Sequence, residues 1–306
     1  MVAAGVSEQP VIGVDLGGTK ILAARVSRDG SIERRRERPT ATGSQEALVA
    51  ELETAVEELL DDEIAAIGFG VPSRVDQKTG VAAGSVNTPL HDFALRNHMQ
   101  RRFSLPVGID NDANAAALAE WACGAGRGSD DMVMLTLGTG VGGGLVLGRR
   151  LYRGWAELGH VVVVYNGKPC QGTCTGRGHL ESYCTGLAAD EAAEETFGPG
   201  TDAHRLVRIA REGDERAIEI LTGIGRLLGA GIGSFVNIFG PQIVVVGGGF
   251  GTAAAELLLG PAREIVRREA LEPAGETVRL VTAELGTAAG VIGAGLIAYE
   301  ALDASA

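Results

Sequence analysis

The chain has 306 residues, 45% of them hydrophobic and 46 of them glycine, with a formal net charge of −12. That length suffices for two lobes, because single cores seldom grow beyond roughly 250–300 residues. The acidic balance, broken only by the short run Arg34–Arg38 (RRRER), argues against nucleic acid as a partner, and no uninterrupted apolar run is long enough to argue for a membrane span.

Val11–Val14 predicts a strand, and the glycine turn DLGGTK with the apolar run Ile21–Val26 completes a hairpin. Apolar residues at helical spacing (Leu48, Leu52, Val56, Leu59, Leu60), with acids between them, predict a helix over Ser44–Leu60. Ile64–Val71 reads as a buried strand ending in the turn Pro72–Ser73, and Val107–Asp110 as a short strand. Asn114–Trp121 reads as a helix with Asp112 and Asn114 as cap candidates. Met132–Leu137 is a strand, followed by the loop Gly138–Gly144 and the apolar run Leu145–Leu147. Ile220–Phe235 predicts a long apolar helix. Ile243–Val246 predicts an apolar strand leading through GGGFG to a helix over Ala253–Leu259, and Ala288–Leu302 a closing helix. Strand, glycine hairpin and strand therefore occur near Gly17 and again near Gly142, a coarse repeat expected of two related lobes.

Neither glycine hairpin fits the common nucleotide motifs. A Walker loop needs G-x4-G-K-[ST] feeding a helix; here the order is Gly18-Thr19-Lys20 and a strand follows. Gly138–Gly144 matches G-x-G-x-x-G formally, but a dinucleotide site also needs a helix after it, and LVLGRRLYRG reads as strand, turn and strand. Two glycine hairpins facing a cleft suit another task, holding a triphosphate with backbone N–H groups from both sides. Gly17, Gly18, Gly138 and Gly140 would supply those groups, and Thr19, Lys20 and Thr139 further donors. Asp15 sits where a carboxylate can hold Mg2+, directly or through water. Gly247, Gly248 and Gly249 follow a buried strand and open a helix, a usual place for a nucleotide. One such loop is equally well an ordinary turn; the three together favour the nucleotide.

Asp110, Asn111 and Asp112 lie between a strand end and a helix start, where a carboxylate is rigidly held and can take a proton. On the segment alone a plain helix cap is the better account.

Four cysteines are present, and Cys170, Cys174 and Cys184 fall within fifteen positions. The first ten residues, MVAAGVSEQP, lack the pattern of a signal peptide, so a cytoplasmic protein is expected, and there such a cluster reads as metal before disulfide. Cys170, Cys174 and His179 form a compact Cys-x3-Cys-x4-His, and His160 offers a fourth ligand, a set suited to tetrahedral Zn2+. Cys184 is a rival for the fourth place, and Cys123 reads as an isolated buried thiol.

Together these segments resemble the ROK family (repressor, open reading frame, kinase) of bacterial sugar kinases, and within it the glucokinases, from Ile12 to the last helix. DLGGTK resembles the family's first phosphate motif, and LTLGTGVGGGLVLGRRLYRGWAELGH its signature segment. NDAN resembles the block carrying the catalytic aspartate, here Asp112, with Asn111 as a sugar contact. Glu157 and His160 of ELGH and Glu181 of HLE match positions that hold sugar hydroxyls, and Asn87 of NTP resembles an asparagine facing the sugar. The family's zinc motif is usually C-x-C-G-x-x-G-C-x-E; this chain departs from it with CQGTCTGRGHLE, which puts His179 at the third cysteine. His160 would then ligate zinc with one ring nitrogen and meet the sugar with the other.

The resemblance implies an α/β actin-like ATPase (ribonuclease H-like) fold, with two lobes around a nucleotide and sugar cleft. The small lobe would be residues 1–117 plus 289–306, and the large lobe, with the zinc loop, residues 118–288. It further implies ATP, Mg2+, a structural Zn2+ and a homodimer. The expected reaction is phosphorylation of a hexose, glucose at O6 first, with Asp112 as general base. Fructose, mannose, an N-acetylhexosamine or allose remain alternative substrates, because the hydroxyl-binding residues are largely shared. Polyphosphate is an alternative donor. A non-catalytic sugar sensor of the same fold is the alternative from another class, although the helix-turn-helix domain of the family's repressors has no room before a phosphate motif that begins near residue 12.

Overall fold

The computed structural model describes residues 8–85, 88–172 and 174–305. It falls into two compact units, one ending at Cys123 and resuming at Ala288, the other Gly124–Thr287. The first holds β1 (Val11–Leu16), β2 (Lys20–Val26), β3 (Ile32–Pro39), α1 (Gln45–Glu57), β4 (Ile67–Val71), β5 (Val75–Asp76), β6 (Val81–Ala82), α2 (Leu95–Phe103), β7 (Val107–Asn111) and α3 (Asp112–Cys123). The second holds β8 (Met132–Leu137), β9 (Val141–Leu147), β10 (Arg150–Leu151), α4 (Gly186–Phe197), α5 (Ala203–Arg211), α6 (Glu215–Phe239), β11 (Ile243–Gly247), α7 (Gly249–Ala253), α8 (Ala255–Glu269), α9 (Ala274–Thr277) and β12 (Arg279–Thr282). The last helix, α10 (Ala289–Ser305), belongs to the first unit. A boundary between residues 117 and 118 would cut α3, which runs unbroken to Cys123, and the division falls at the end of that helix.

Each unit is built on a five-stranded sheet, and the two sheets have the same plan: β3-β2-β1-β4-β7 and β10-β9-β8-β11-β12. In each, three strands run antiparallel in sequence order and two further strands add in parallel. The coarse repeat in the sequence is thus a repeat of topology. β5 and β6 pair separately.

In the first unit, Ile12, Val14 and Leu16 of β1 pack one sheet face on Leu48, Leu52 and Val56 of α1 and on Leu95 and Met99 of α2. The Ser44 hydroxyl caps α1 by accepting from the Ala47 N–H at 3.2 Å. The opposite face carries a glycine row, Gly13, Gly68 and Gly108, paired across β1, β4 and β7. Side chains at these three positions would overlap the carbonyl oxygens of Val291, Ala294 and Ile297, so α10 lies with its backbone against the strands. Two residues further along the same strands, on the same face, the row reads Asp15, Gly70 and Asp110. The acids therefore stand at the carboxyl ends of parallel strands, where α/β sheets place ligands. The basic run Arg34–Arg38 is the solvated edge strand β3, tied down by Arg38 to Glu51 (2.8 Å) and Glu58 (2.5 Å).

In the second unit, α6 is, among the described residues, the one helix long and apolar enough to cross a membrane by length and composition. Half of its most apolar stretch is buried within the protein. Leu221, Leu228, Ile232 and Val236 pack in one cluster with Leu258, Ala262 and Val266 of α8, which makes α6 a core helix. Asp214 caps its start and Gly240, in the left-handed conformation, ends it.

Candidate active site

Asp112 is the first residue of α3, two positions ahead of the start expected from the apolar pattern. The cap is Asn111, which neither cap candidate anticipated: its Oδ1 accepts from the N–H groups of Ala113 (2.9 Å) and Asn114 (3.3 Å). Asn111 Nδ2 donates to Asp112 Oδ1 at 2.9 Å, and the Ala113 N–H donates to the same oxygen at 2.9 Å. These two bonds hold Asp112 Oδ1 in place. Behind it, Asp110 is 1% exposed and accepts from the Asn111 N–H (2.8 Å) and from Asn114 Nδ2 (2.9 Å). The i, i+4 spacing of Asp110 and Asn114 was the available signal for this support.

Asp15 lies near the same place. A Cβ at Gly70 would be 3.8 Å from Asp15 Oδ1 and 3.7 Å from Asp112 Cα, so bare Gly70 leaves open the space between the two acids. Burial, reinforced by the charge of Asp112 and opposed by Lys20, pushes the Asp15 carboxyl up to about 7. The adjoining turn is closed by the Gly17 N–H on the Lys20 carbonyl (2.9 Å) and pinned by the Thr40 hydroxyl on the Gly17 carbonyl (2.7 Å). Gly18, Thr19 and Lys20 are exposed, and Lys20 pairs at the surface with Glu37 at 2.9 Å.

In the second unit the turn is only Gly138–Thr139–Gly140, closed by the Gly138 N–H on the Gly140 carbonyl at 2.9 Å. Gly142, Gly143 and Gly144, expected to be loop, are strand residues of β9 paired with Thr136, Leu135 and Met134. Gly248 has φ +82°, and a Cβ there would fall 2.5–2.7 Å from the backbone of Leu137. This contact seats Gly247–Gly249 against the Gly138–Gly140 hairpin, joining two loops that the sequence presented separately. The helix after GGGFG begins already at Gly249.

His160, Cys170, Cys174 and His179 converge, their donor atoms all within 4.8 Å of one another. His160 Nδ1 is 3.2 Å from His179 Nδ1, Cys170 Sγ is 3.6 Å from His160 Nδ1, and Cys174 Sγ is 3.7 Å from His179 Nδ1. A tetrahedral zinc with Zn–N of about 2.05 Å and Zn–S of about 2.3 Å sets N···N edges of about 3.3 Å and N···S edges of about 3.6 Å, so the four residues fit that ion. Nδ1 of His160 faces the cluster, which leaves Nε2 for another partner. Burial, with Cys174 adjacent, pushes the Cys170 thiol up; a bound cation would reverse that by favouring thiolate. Cys184 is elsewhere: it is fully buried in the core of the unit, with Sγ on the Ile224 carbonyl at 3.6 Å.

Glu181 sits beside the cluster. Its Oε1 is 3.9 Å from Cys170 Sγ, and its Oε2 accepts from the Val141 N–H at 2.9 Å. Glu157 is exposed immediately before the 3-10 turn Leu158–His160, where its carbonyl accepts from the His160 N–H at 3.0 Å. Asn87 lies outside the described residues.

The chain is 36% identical to a glucokinase of Thermotoga maritima, an alignment covering 95% of this chain and 97% of the relative. It is 34% identical to a glucokinase of Streptomyces coelicolor, over 94% and 97%. Among solved structures it is similar to a ROK family glucokinase from Streptomyces griseus in complex with glucose and AMPPNP, with a TM-score of 0.81, 34% identity and coverage of 95% and 99%. The fold is the α/β actin-like ATPase fold, with one repeat of its plan in each unit. The ROK family profile matches residues 11–301, and the chain belongs to the ROK family.

Proposed function

We propose that this chain transfers the γ-phosphoryl group of ATP to O6 of glucose, with Asp112 as general base. The observation that carries the reading is the Asn111–Asp112 hydrogen bond, which fixes the Asp112 carboxylate at a strand end. Asp112 takes the O6 proton as that oxygen bonds to the γ-phosphorus, and the bond from phosphorus to the bridging oxygen breaks, releasing ADP. General-base assistance of this kind contributes about 10²–10⁴-fold.

ATP is assigned to Gly17–Lys20, Gly138–Gly140 and Gly247–Gly249. Asp15 would hold Mg2+, which keeps most of its water ligands and neutralises phosphate charge. Asn87, Glu157, His160 and Glu181 would hold the sugar hydroxyls. Asn111 reads better as the residue that positions Asp112, since its amide is already engaged. Zn2+ on His160, Cys170, Cys174 and His179 would fix the sugar-holding loop without entering the chemistry. The reading places the chain in the cytoplasm, as a homodimer. The test is ADP release by purified protein with MgATP and a panel of hexoses. Turnover on glucose above fructose, mannose, N-acetylmannosamine and allose is expected. Preference for another hexose would overturn the specificity alone. No turnover with either ATP or polyphosphate would overturn the kinase reading in favour of a sugar sensor.

A further inference from the structure

The metal loop holds two cysteines that can reach one another. Cys170 and Cys174 are free thiols, half-buried, and their sulfurs lie within 4.8 Å. Two backbone bonds tie these residues into the loop: the Cys174 N–H on the Gln171 carbonyl (3.3 Å) and the Cys170 N–H on the Gly176 carbonyl (3.0 Å). The other two donors of the cluster are imidazoles, so the set offers a single sulfur–sulfur pairing. Cys184 is sealed in the core and Cys123 belongs to α3 of the first unit.

We propose that Cys170 and Cys174 form a reversible disulfide in competition with the metal ion, which makes the loop a peroxide-sensitive modification site. The proposal rests on the metal reading above. One thiolate sulfur attacks a peroxide oxygen; the O–O bond breaks and, with a proton from solvent, water leaves a sulfenic acid behind. The second thiolate attacks that sulfur, the S–OH bond breaks, and a second proton carries the hydroxide off as water. Two electrons pass from the sulfurs to the peroxide, and the cation, deprived of both sulfur donors, goes to solvent. Glu181 and His160 then lose the frame that orients them, one beside Cys170 and the other within the donor set.

The experiment treats the zinc-loaded full chain with hydrogen peroxide. Zinc release is followed with a chromogenic chelator and the cysteine state by peptide mass spectrometry. Release is expected to rise in step with a Cys170–Cys174 disulfide. Dithiothreitol with zinc should restore both the metal and a glucose KM that had risen about tenfold. Cys123→Ser and Cys184→Ala should respond like the unmodified chain. Cys174→His, which keeps a nitrogen donor for the ion, should retain its metal in peroxide. Metal kept by the unmodified chain despite peroxide, or release with only sulfinic or sulfonic acid, overturns the switch and leaves the metal reading standing. A purified chain without zinc, and unable to take it up, overturns the metal reading and the switch together. The mass spectra of the unmodified chain decide even if a variant fails to fold.

Discussion

The Val141 N–H donates to Glu181 Oε2 at 2.9 Å, while Glu181 Oε1 stands 3.9 Å from Cys170 Sγ. One carboxylate thus spans from the glycine hairpin to a proposed metal ligand, and it does so where Gly140 has no side chain: a Cβ there would lie 2.7 Å from Glu181 Oε2. Glu181 thereby links the loop that carries Cys170 to the start of β9.

Glu181→Ala removes this acceptor and a proposed sugar contact together. An unpaired buried N–H costs about 1–3 kcal/mol. Steady-state kinetics should show glucose KM raised about 10–100-fold. Glu181→Gln keeps an oxygen for Val141 and should lose less. Equal kinetics for Ala and Gln would mean that the backbone bond contributes nothing.

Cys174→Ala and His179→Ala should each release the zinc and raise glucose KM, measured by elemental analysis and kinetics on the same samples. Cys184→Ala should keep its metal, because that thiol faces Ile224. Full metal content in both ligand variants would contradict the donor set.

Asp15 sets a pH dependence for the ligand-free protein. Its folded pKa, about 7, lies above its unfolded value. Below about pH 4 the group is protonated in both states and costs nothing. Between about pH 4 and 7 the unfolded chain ionises while the folded chain resists, so stability falls, by up to about 4 kcal/mol once pH has passed the folded pKa. Asp15→Asn should match the unmodified chain near pH 4 and melt at a higher temperature at pH 8. No difference at pH 8 would mean that Asp15 is better solvated than its surroundings indicate.

Gly248→Ala combines a positive φ with overlap on the Leu137 backbone. It is expected to cost at least about 2 kcal/mol and to lower the melting temperature by about 4 °C or more. Gly249→Ala, with nothing within 4 Å of the added methyl group, should melt like the unmodified chain.

Much of this was legible in the sequence. Local signals carried it: apolar runs for β1, β4, β8, β11 and α6, helical spacing for α1, and compact Cys/His spacing for four residues that converge. The repeat was visible only as two glycine hairpins; that each feeds a sheet of identical order depends on pairing between distant strands. The Gly142–Gly144 run hid a strand because glycine has no alternation to read, and Leu145 and Val146 only complete it. The cap on α3 went to Asn111 because its amide serves Ala113, Asn114 and Asp112 at once, an arrangement that position preferences do not rank. The Glu181–Val141 bond, forty residues apart, left no local trace.

The central claim is tested most directly by Asp112→Asn, with kcat and calorimetric glucose binding measured on one preparation. Loss of kcat by about 10²–10⁴-fold with glucose binding retained is the result expected of a general base held by Asn111. Turnover within a few-fold of the unmodified chain would contradict it and remove Asp112 from the chemistry.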